Sequence, residues 1–222
     1  FYAIVGWKYY YGHGVEQSKS KANDAFKLLL MHSAFAYTSL KGKIYEDVLR
    51  DRPMPPPLKA GIDWLDETTQ TDEGAIALGL SLIDGTGTYY DGTILPIDTW
   101  AARDILSYLS IHNPKASYYF GLEKLKGTFG DKNRGAGKMH LISSARCGYV
   151  PAMIELAHLA KTGDFGTRTS EREAYGWLLM AQRSGANVTD EIKIARENAG
   201  SYYQMTLPND KWFMPEHSTC KE

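Results

Sequence analysis

One recurring spacing constrains this chain more than any other feature of its sequence. Gly127 and Gly163 lie 36 residues apart, and the small residues around them recur at the same distance. An apolar segment at residues 116–121 precedes the first glycine, and a matching segment at residues 152–157 precedes the second. A regular recurrence of this length is typical of stacked helical repeats and not of a single irregular core.

The recurring small residues have two expected roles. Gly127 and Gly163 come where a first helix should end, and glycine is the residue that adopts the required left-handed conformation most easily. Gly121 and Ala157 lie six residues earlier, where a larger side chain would push two neighbouring helices apart. The predicted unit is therefore a helix, a glycine-containing turn, a second antiparallel helix and a closing glycine.

This unit resembles the Sel1-like repeat, a relative of the tetratricopeptide repeat with a longer, glycine-marked internal loop. The second copy departs from the family pattern at Ala157, where the family usually has glycine. The resemblance implies a scaffold or adaptor without a cofactor. The matching residues are Ala116, Phe120, Gly121, Gly127, Gly130, Ala145 and Gly148, then Ala152, Leu156, Gly163, Gly166, Ala174, Trp177, Ala181 and Gly185.

Two further copies of the pattern occur earlier in the chain, marked by Gly6 and Gly12 and by Gly79 and Gly85. The sequence therefore predicts an all-α fold, an α-solenoid of about four Sel1-like helix-turn-helix repeats with a C-terminal capping helix and a Pro-rich insertion. The predicted solenoid covers residues 1–205, and a C-terminal tail follows at 206–222. The predicted boundaries are repeats at about 1–35, 74–111, 115–148 and 151–185, an insertion at 36–73 and a cap at 188–204.

The insertion contains the segment Arg52-Pro-Met-Pro-Pro-Pro-Leu58. Proline lacks a backbone N–H and restricts the preceding residue to extended geometry, so this segment is predicted to form polyproline II and not a helix. We expect a loop that packs across the hairpins, anchored by Met54, Leu58, Ile62, Trp64 and Leu65. The alternative is a proline-rich ligand for a partner.

Composition excludes several classes of protein. The chain has 222 residues, 43% of them hydrophobic, which is enough for a substantial core, and a formal net charge of −1. A dedicated nucleic-acid binder usually has a basic excess, so no nucleic-acid partner is expected. No apolar run is long enough for a membrane span. Because the chain opens at Phe1 inside an apolar pattern, we expect a leader peptide, a lipid anchor or an earlier repeat before it.

No constellation of residues predicts catalysis, a metal site or a cofactor. The six histidines show no i, i+4 pair, and neither Cys-x-x-Cys nor Gly-x-Ser-x-Gly occurs. His13, between two glycines, is predicted to be a solvated loop residue, while His140 and His158 are predicted to be partly exposed or hydrogen-bonded fillers. Cys147 is expected to be a partly buried thiol, and a Cys147–Cys220 disulfide in an oxidising compartment is the alternative.

The remaining signal is aromatic. The chain has 15 tyrosines and 5 tryptophans, and several tyrosines lie on or just after first helices, which line the concave side of an α-solenoid. Tyrosine is enriched at binding hot spots because it combines apolar area with a polar tip. The predicted partner-binding residues are Tyr9, Tyr10, Tyr11, Tyr89, Tyr90, Tyr118 and Tyr119.

The predicted function is therefore non-catalytic binding of another protein. Some bacterial Sel1-like proteins are secreted or lipid-anchored periplasmic proteins that neutralise type VI secretion phospholipase toxins. The resemblance implies such an immunity protein, periplasmic and bound to one cognate lipase or phospholipase effector, as the leading hypothesis. The alternatives are a general scaffold in envelope assembly or signalling and, less favoured, a cell-wall-active enzyme.

Overall fold

A computed structural model of the chain describes residues 1–40, 52–130 and 133–198, without the side chains of residues 32–40. Ten α-helices lie in these ranges, and the described residues contain no β-strand beyond one isolated bridge between Thr88 and Ile94. The helices are α1 (Tyr2–Tyr11), α2 (Lys19–Leu40), α3 (Pro56–Thr69), α4 (Asp72–Asp84), α5 (Thr99–Leu109), α6 (Pro114–Lys126), α7 (Arg134–Arg146), α8 (Val150–Thr162), α9 (Glu171–Arg183) and α10 (Thr189–Asn198).

The predicted fold class is confirmed, since the described chain is all-α and its helices pair into glycine-marked hairpins. The chain divides into two compact units, Phe1–Tyr108 and Leu109–Glu222. In the first unit α1 packs against α2, and α3 packs against both α2 and α4. In the second unit α6 pairs with α7 and α8 pairs with α9, while α10 covers α9. No helix of the described residues is both long and apolar enough to cross a lipid bilayer.

The first helix of each hairpin ends at a glycine, as the recurring spacing predicts. Gly12, Gly85, Gly127 and Gly163 all have left-handed backbones, with φ between 70° and 84°. In each case the glycine N–H donates to the carbonyl four residues earlier, for example from Gly127 to Glu123. This is the helix-terminating role that glycine performs without the steric cost of a Cβ atom.

The second predicted role, close helix approach, is confirmed between α6 and α7. A Cβ atom added to Gly121 would lie 2.8 Å from the carbonyl oxygen of Gly137 and 3.1 Å from Cβ of His140. A Cβ atom on Gly137 would in turn lie 2.8 Å from the carbonyl oxygen of Gly121. The two backbones therefore touch at a point where neither helix has a side chain.

The prediction that the whole Pro-rich segment is polyproline II is wrong in its second half. Pro55 is extended, with φ −60° and ψ 132°, but α3 begins at the next residue and places Pro56 and Pro57 in its first turn. The first turn of a helix tolerates proline because its N–H groups have no intrahelical acceptor. Leu58 and Leu65 of this helix are fully buried, so the segment is part of the core of the first unit and not a peripheral loop.

Each unit has its own apolar core. In the first unit Leu58 joins Ala3, Ala22 and Phe26. In the second unit Leu141, Met153 and Trp177 belong to a larger cluster that extends to Ala195 of α10. The buried side chain of Ala195 is therefore what supports a capping role for α10. The predicted part of the cap after residue 198 and the tail 206–222 lie outside the described residues.

The side chain of Cys147, at the end of α7, is in a disulfide and is not the free thiol that we expect from the sequence. Only one other cysteine, Cys220, occurs in the chain. That residue lies outside the described part of the chain, so the Cys147–Cys220 pairing stays a prediction.

Candidate binding surfaces

The linker of the second hairpin is longer than that of the third, residues 85–98 against residues 127–133. Backbone hydrogen bonds within the linker and from the linker to α4 fix its conformation. The N–H of Leu95 donates to the carbonyl of Gly87 at 2.8 Å, and the N–H of Asp98 donates to the carbonyl of Leu82 at 2.8 Å. The carboxylate of Asp98 then caps α5 by accepting from the N–H of Ala101 at 2.9 Å. The long linker therefore has a defined conformation.

An ion pair anchors the tip of this linker to α2. The ammonium group of Lys27 lies 2.8 Å from the carboxylate of Asp91 and donates to the hydroxyl of Thr93 at 2.7 Å. The same carboxylate accepts hydrogen bonds from the N–H and the hydroxyl of Thr93. Because these donors stabilise the charged form, the hydrogen bond from Lys27 and then that from Thr93 lower the pKa of Asp91 to about 2.

Two of the predicted partner-binding tyrosines, Tyr89 and Tyr90, belong to this linker and differ in burial. Tyr89 is 6% exposed, and its ring lies 5.8 Å from that of Trp64. Burial, followed by the nearby carboxylates of Asp98 and Asp91, raises the pKa of Tyr89 to about 12. The prediction is therefore wrong for Tyr89, whose ring is in the interior. Tyr90 is half-buried with a buried hydroxyl, and burial raises its pKa as well.

The same linker and the first turn of α5 expose apolar side chains that the pattern of tyrosines does not indicate. Ile94 is 72% exposed, Ile97 is 66% exposed and Trp100, in the first turn of α5, is 67% exposed. The guanidinium of Arg103 lies 4.3 Å from the centre of the Trp100 ring, which is a cation–π contact. We call these three residues, Ile94, Ile97 and Trp100, the apolar linker patch. Three large apolar side chains are therefore exposed within seven positions of the chain.

The three tyrosines that end α1 lie at the edge of an aromatic cluster. Tyr11 is 38% exposed and its ring lies 5.4 Å from that of Trp7, while Tyr9 and Tyr10 are half-buried against the first core. His13 is exposed, as expected for a loop residue, but it also stacks on the indole of Trp7 with ring centres 4.6 Å apart. Of the three predicted binding tyrosines on α1, Tyr11 offers the most surface.

Tyr118 and Tyr119 of α6 are both half-buried. The ring of Tyr118 lies 5.1 Å from that of Tyr119 and 5.4 Å from that of Tyr149, which precedes α8. Burial, followed by the charge of Glu155, raises the pKa of Tyr118 to about 12. This cluster of tyrosines thus joins neighbouring hairpins of the second unit. Only the exposed edges of its rings are available to contact a partner.

A serine and a histidine come close together in the second unit, but their geometry does not suit a nucleophile and its base. The hydroxyl of Ser117 donates to the backbone carbonyl of His140 at 3.0 Å, and it lies 3.5 Å from Nδ1 of the same residue. Ser117 is only 2% exposed. Burial and then the charge of Lys124 lower the pKa of His140, which packs edge-on against Phe120. His140 is therefore the hydrogen-bonded filler that its sequence position indicates.

A further histidine forms an ion pair on the surface. His158 is exposed and its Nε2 lies 3.2 Å from the carboxylate of Asp164. Within the described ranges, no group of three or more histidine, cysteine, aspartate or glutamate residues has the geometry to hold a metal ion. The strongest candidate surface is therefore the apolar linker patch, with Tyr11 as a separate exposed aromatic residue.

Among known proteins, this chain shows similarity to solved structures. No protein-family model and no curated protein match this sequence. The solved structures that it resembles include c5321, a protective antigen present in uropathogenic Escherichia coli strains and displaying an SLR fold. That match has 19% identity and a TM-score of 0.46, and it covers 96% of this chain but 44% of c5321. A Sel1 repeat protein from Oxalobacter formigenes matches with 18% identity and a TM-score of 0.46, over 98% of this chain and 80% of that one.

Proposed function

We propose that this chain binds another protein without catalysing a reaction, and that the apolar linker patch is its principal contact. The observation that carries this proposal is the exposure of Ile94 and Ile97, on a linker held by hydrogen bonds and an ion pair, and of Trp100 in the first turn of the helix that follows it. Water contact with large apolar side chains is unfavourable, at roughly 25 cal/mol per Å² of apolar area. A partner that covers the patch removes this cost without first having to order the linker.

Site-specific photocrosslinking tests the proposal directly. A photoreactive amino acid at Ile97 is expected to crosslink to one partner in the native host, whereas the same residue at Leu28, which is 47% exposed on α2, is not. The double change Ile94→Asn and Trp100→Gln is expected to abolish capture of that partner while leaving the circular dichroism spectrum unchanged. Equal crosslinking from both positions would contradict the assignment of the patch.

For the identity of the partner we propose a cognate toxin, a type VI lipase or phospholipase effector that the chain neutralises as an immunity protein. The resemblance to Sel1-like proteins supports this, as does a surface of large apolar side chains suited to one fitted partner. The proposal places the protein in the periplasm and gives it no nucleic-acid partner. The alternative is a general scaffold of envelope assembly or signalling.

Co-expression separates these possibilities. If the chain is an immunity protein, it rescues cells that express a lipase-like effector encoded beside it, and the Ile94→Asn, Trp100→Gln variant does not. If neither the unchanged chain nor the variant rescues the cells, and crosslinking at Ile97 is retained, the result favours the scaffold. Substrate turnover that one side-chain change abolishes would overturn the non-catalytic assignment.

A further inference from the structure

A second candidate surface lies in the Leu109–Glu222 unit, between the start of α7 and the loop that precedes α9. It is an open groove of about 360 Å³. Its lining includes the cationic side chains of Arg134, Lys138 and Arg168 and the apolar side chains of Met139 and Ile142. The groove therefore combines positive charge with apolar area in one place.

Most of the charge in the groove is uncompensated. The ammonium group of Lys138 lies 2.7 Å from the carboxylate of Glu173, which neutralises it. Arg134 and Arg168 have neither a hydrogen bond nor an ion pair from their side chains to any residue of the described ranges. Asp131 and Lys132, which precede Arg134 outside those ranges, have opposite formal charges and add no net charge. Two guanidinium groups thus remain available to an anion.

The side chain of Arg134 packs against the backbone at Gly166. A Cβ atom at Gly166 would be 2.5 Å from Nη1 of Arg134 and 2.8 Å from its Cζ. Gly166 also has φ +70°, so any other residue there would strain the backbone. The guanidinium of Arg134 therefore lies directly against the loop that carries Arg168, and both cations line the same groove.

The apolar part of the groove narrows the class of ligand. Met139 is 63% exposed and Ile142 is half-buried. A small inorganic anion would leave these side chains uncovered, and the bases of a single-stranded nucleic acid would need aromatic rings to stack on, which the lining lacks. A carboxylate suits the forked donors of arginine, and an adjoining aliphatic side chain suits methionine.

We propose that this groove binds an acidic protein segment that also carries a large apolar side chain. Charge complementarity supports an acidic segment, because two uncompensated guanidinium groups line the same groove as the exposed Met139. This site is separate from the apolar linker patch and consists of other residues, so either one can fail without the other.

The test uses the full chain and a short fluorescein-labelled peptide of glutamates around a central leucine, followed by anisotropy. Reversing the charge with Arg134→Glu or Arg168→Glu is expected to weaken binding by at least about tenfold, since each removes an attraction and adds a repulsion. Met139→Gln is expected to weaken it by about threefold or more, through loss of apolar contact. The matched controls are Lys193→Glu and Ile194→Gln on α10, both exposed, which should change the affinity by less than about twofold.

Three results would overturn the proposal. The first is equal weakening by Lys193→Glu and Arg168→Glu, which would mean attraction by overall charge. The second is undiminished binding of a peptide with glutamine in place of every glutamate. The third is tighter binding of a single-stranded oligonucleotide or of phosphatidylglycerol vesicles than of the peptide, with the same dependence on Arg134 and Arg168. Thermal unfolding of each variant, expected to be unchanged at these exposed positions, shows that folding is not the cause.

Discussion

The Cα atom of Gly121 faces the backbone of α7, where an added Cβ would be 2.8 Å from the carbonyl oxygen of Gly137. Gly127, six residues later, has φ 84° and ends its helix. Gly121 is needed because the backbone of α7 leaves no room for a side chain. Gly127 is needed because its own backbone has a left-handed conformation. Gly135 is needed for neither reason. A Cβ atom added to Gly135 would have Oδ1 of Asn133, 3.8 Å away, as its nearest neighbour.

Substitution by alanine separates these cases. Gly121→Ala is expected to lower the free energy of unfolding by about 1–2 kcal/mol, because the cost of forcing two backbones apart exceeds the gain in helix propensity. Gly135→Ala is the matched control in α7, and it is expected to raise the free energy of unfolding by up to about 1 kcal/mol. Urea denaturation measures both. Equal effects of the two substitutions would show that the helices are not in contact at Gly121.

At the scale of elements, α3 changes the role of the Pro-rich segment. Leu58, at 0% exposure, packs with Phe26 and Ala22 of α2. Leu58→Ala is therefore expected to lower the free energy of unfolding by about 2–5 kcal/mol, through lost apolar burial and the cavity left behind.

The control for this change is Leu28→Ala on α2, where the side chain is 47% exposed and the loss should be within about 1 kcal/mol. Chemical denaturation of the two variants makes the comparison. If Leu58→Ala is as mild as Leu28→Ala, then α3 is a peripheral element and its assignment to the core is wrong.

The linker of the second hairpin should depend on pH through Asp91. Its pKa falls from 3.8 to about 2, so the contact with Lys27 is fully formed above about pH 4 and is lost as the pH falls through about 2. Asp91→Asn is expected to abolish this acid dependence and to speed amide exchange of Tyr89, whose N–H donates to the carbonyl of Thr93. NMR titration and hydrogen exchange measure the two effects.

A matched control for the pH effect is Asp63→Asn. Asp63 pairs with Lys59 at 2.6 Å on the surface of α3, where both side chains are more than half exposed. A pair of this kind contributes little to stability. Faster exchange at Tyr89 in this variant would mean that the linker responds to net charge and not to the Lys27–Asp91 contact.

The sequence predicts the hairpins well and the surfaces poorly, for a physical reason. A helix end at Gly127 or a close approach at Gly121 is a local requirement that only small residues meet, so the spacing reveals it. The exposure of Tyr89 or Ile94 depends on how a linker folds back on its hairpin, and no local pattern encodes that. The start of α3 at Pro56 escaped prediction because proline disfavours helix interiors but not the first turn.

At the scale of the whole molecule, the disulfide of Cys147 bears on where the protein resides. Disulfides persist in oxidising compartments, which agrees with the periplasmic location proposed above. Peptide mapping without reductant is expected to recover Cys147 joined to Cys220, the only other cysteine. Reduction is expected to lower the free energy of unfolding by about 2–4 kcal/mol.

A Cys147→Ser, Cys220→Ser variant provides the control, because its stability should not respond to reductant. Two freely alkylated thiols in protein purified from an oxidising compartment would contradict the pairing. They would also remove one support for the proposed location.

The left-handed glycine at the end of each first helix has an evolutionary consequence. Since Gly85 closes its helix by itself, the segment behind it can grow, shrink or be exchanged while the paired helices keep their register. The two segments that follow such glycines differ in length, residues 85–98 against residues 127–133. Inserting the 85–98 segment after Gly127 would show whether a linker carries its binding specificity with it. If it does, new specificities can arise in this architecture without any change to the helices.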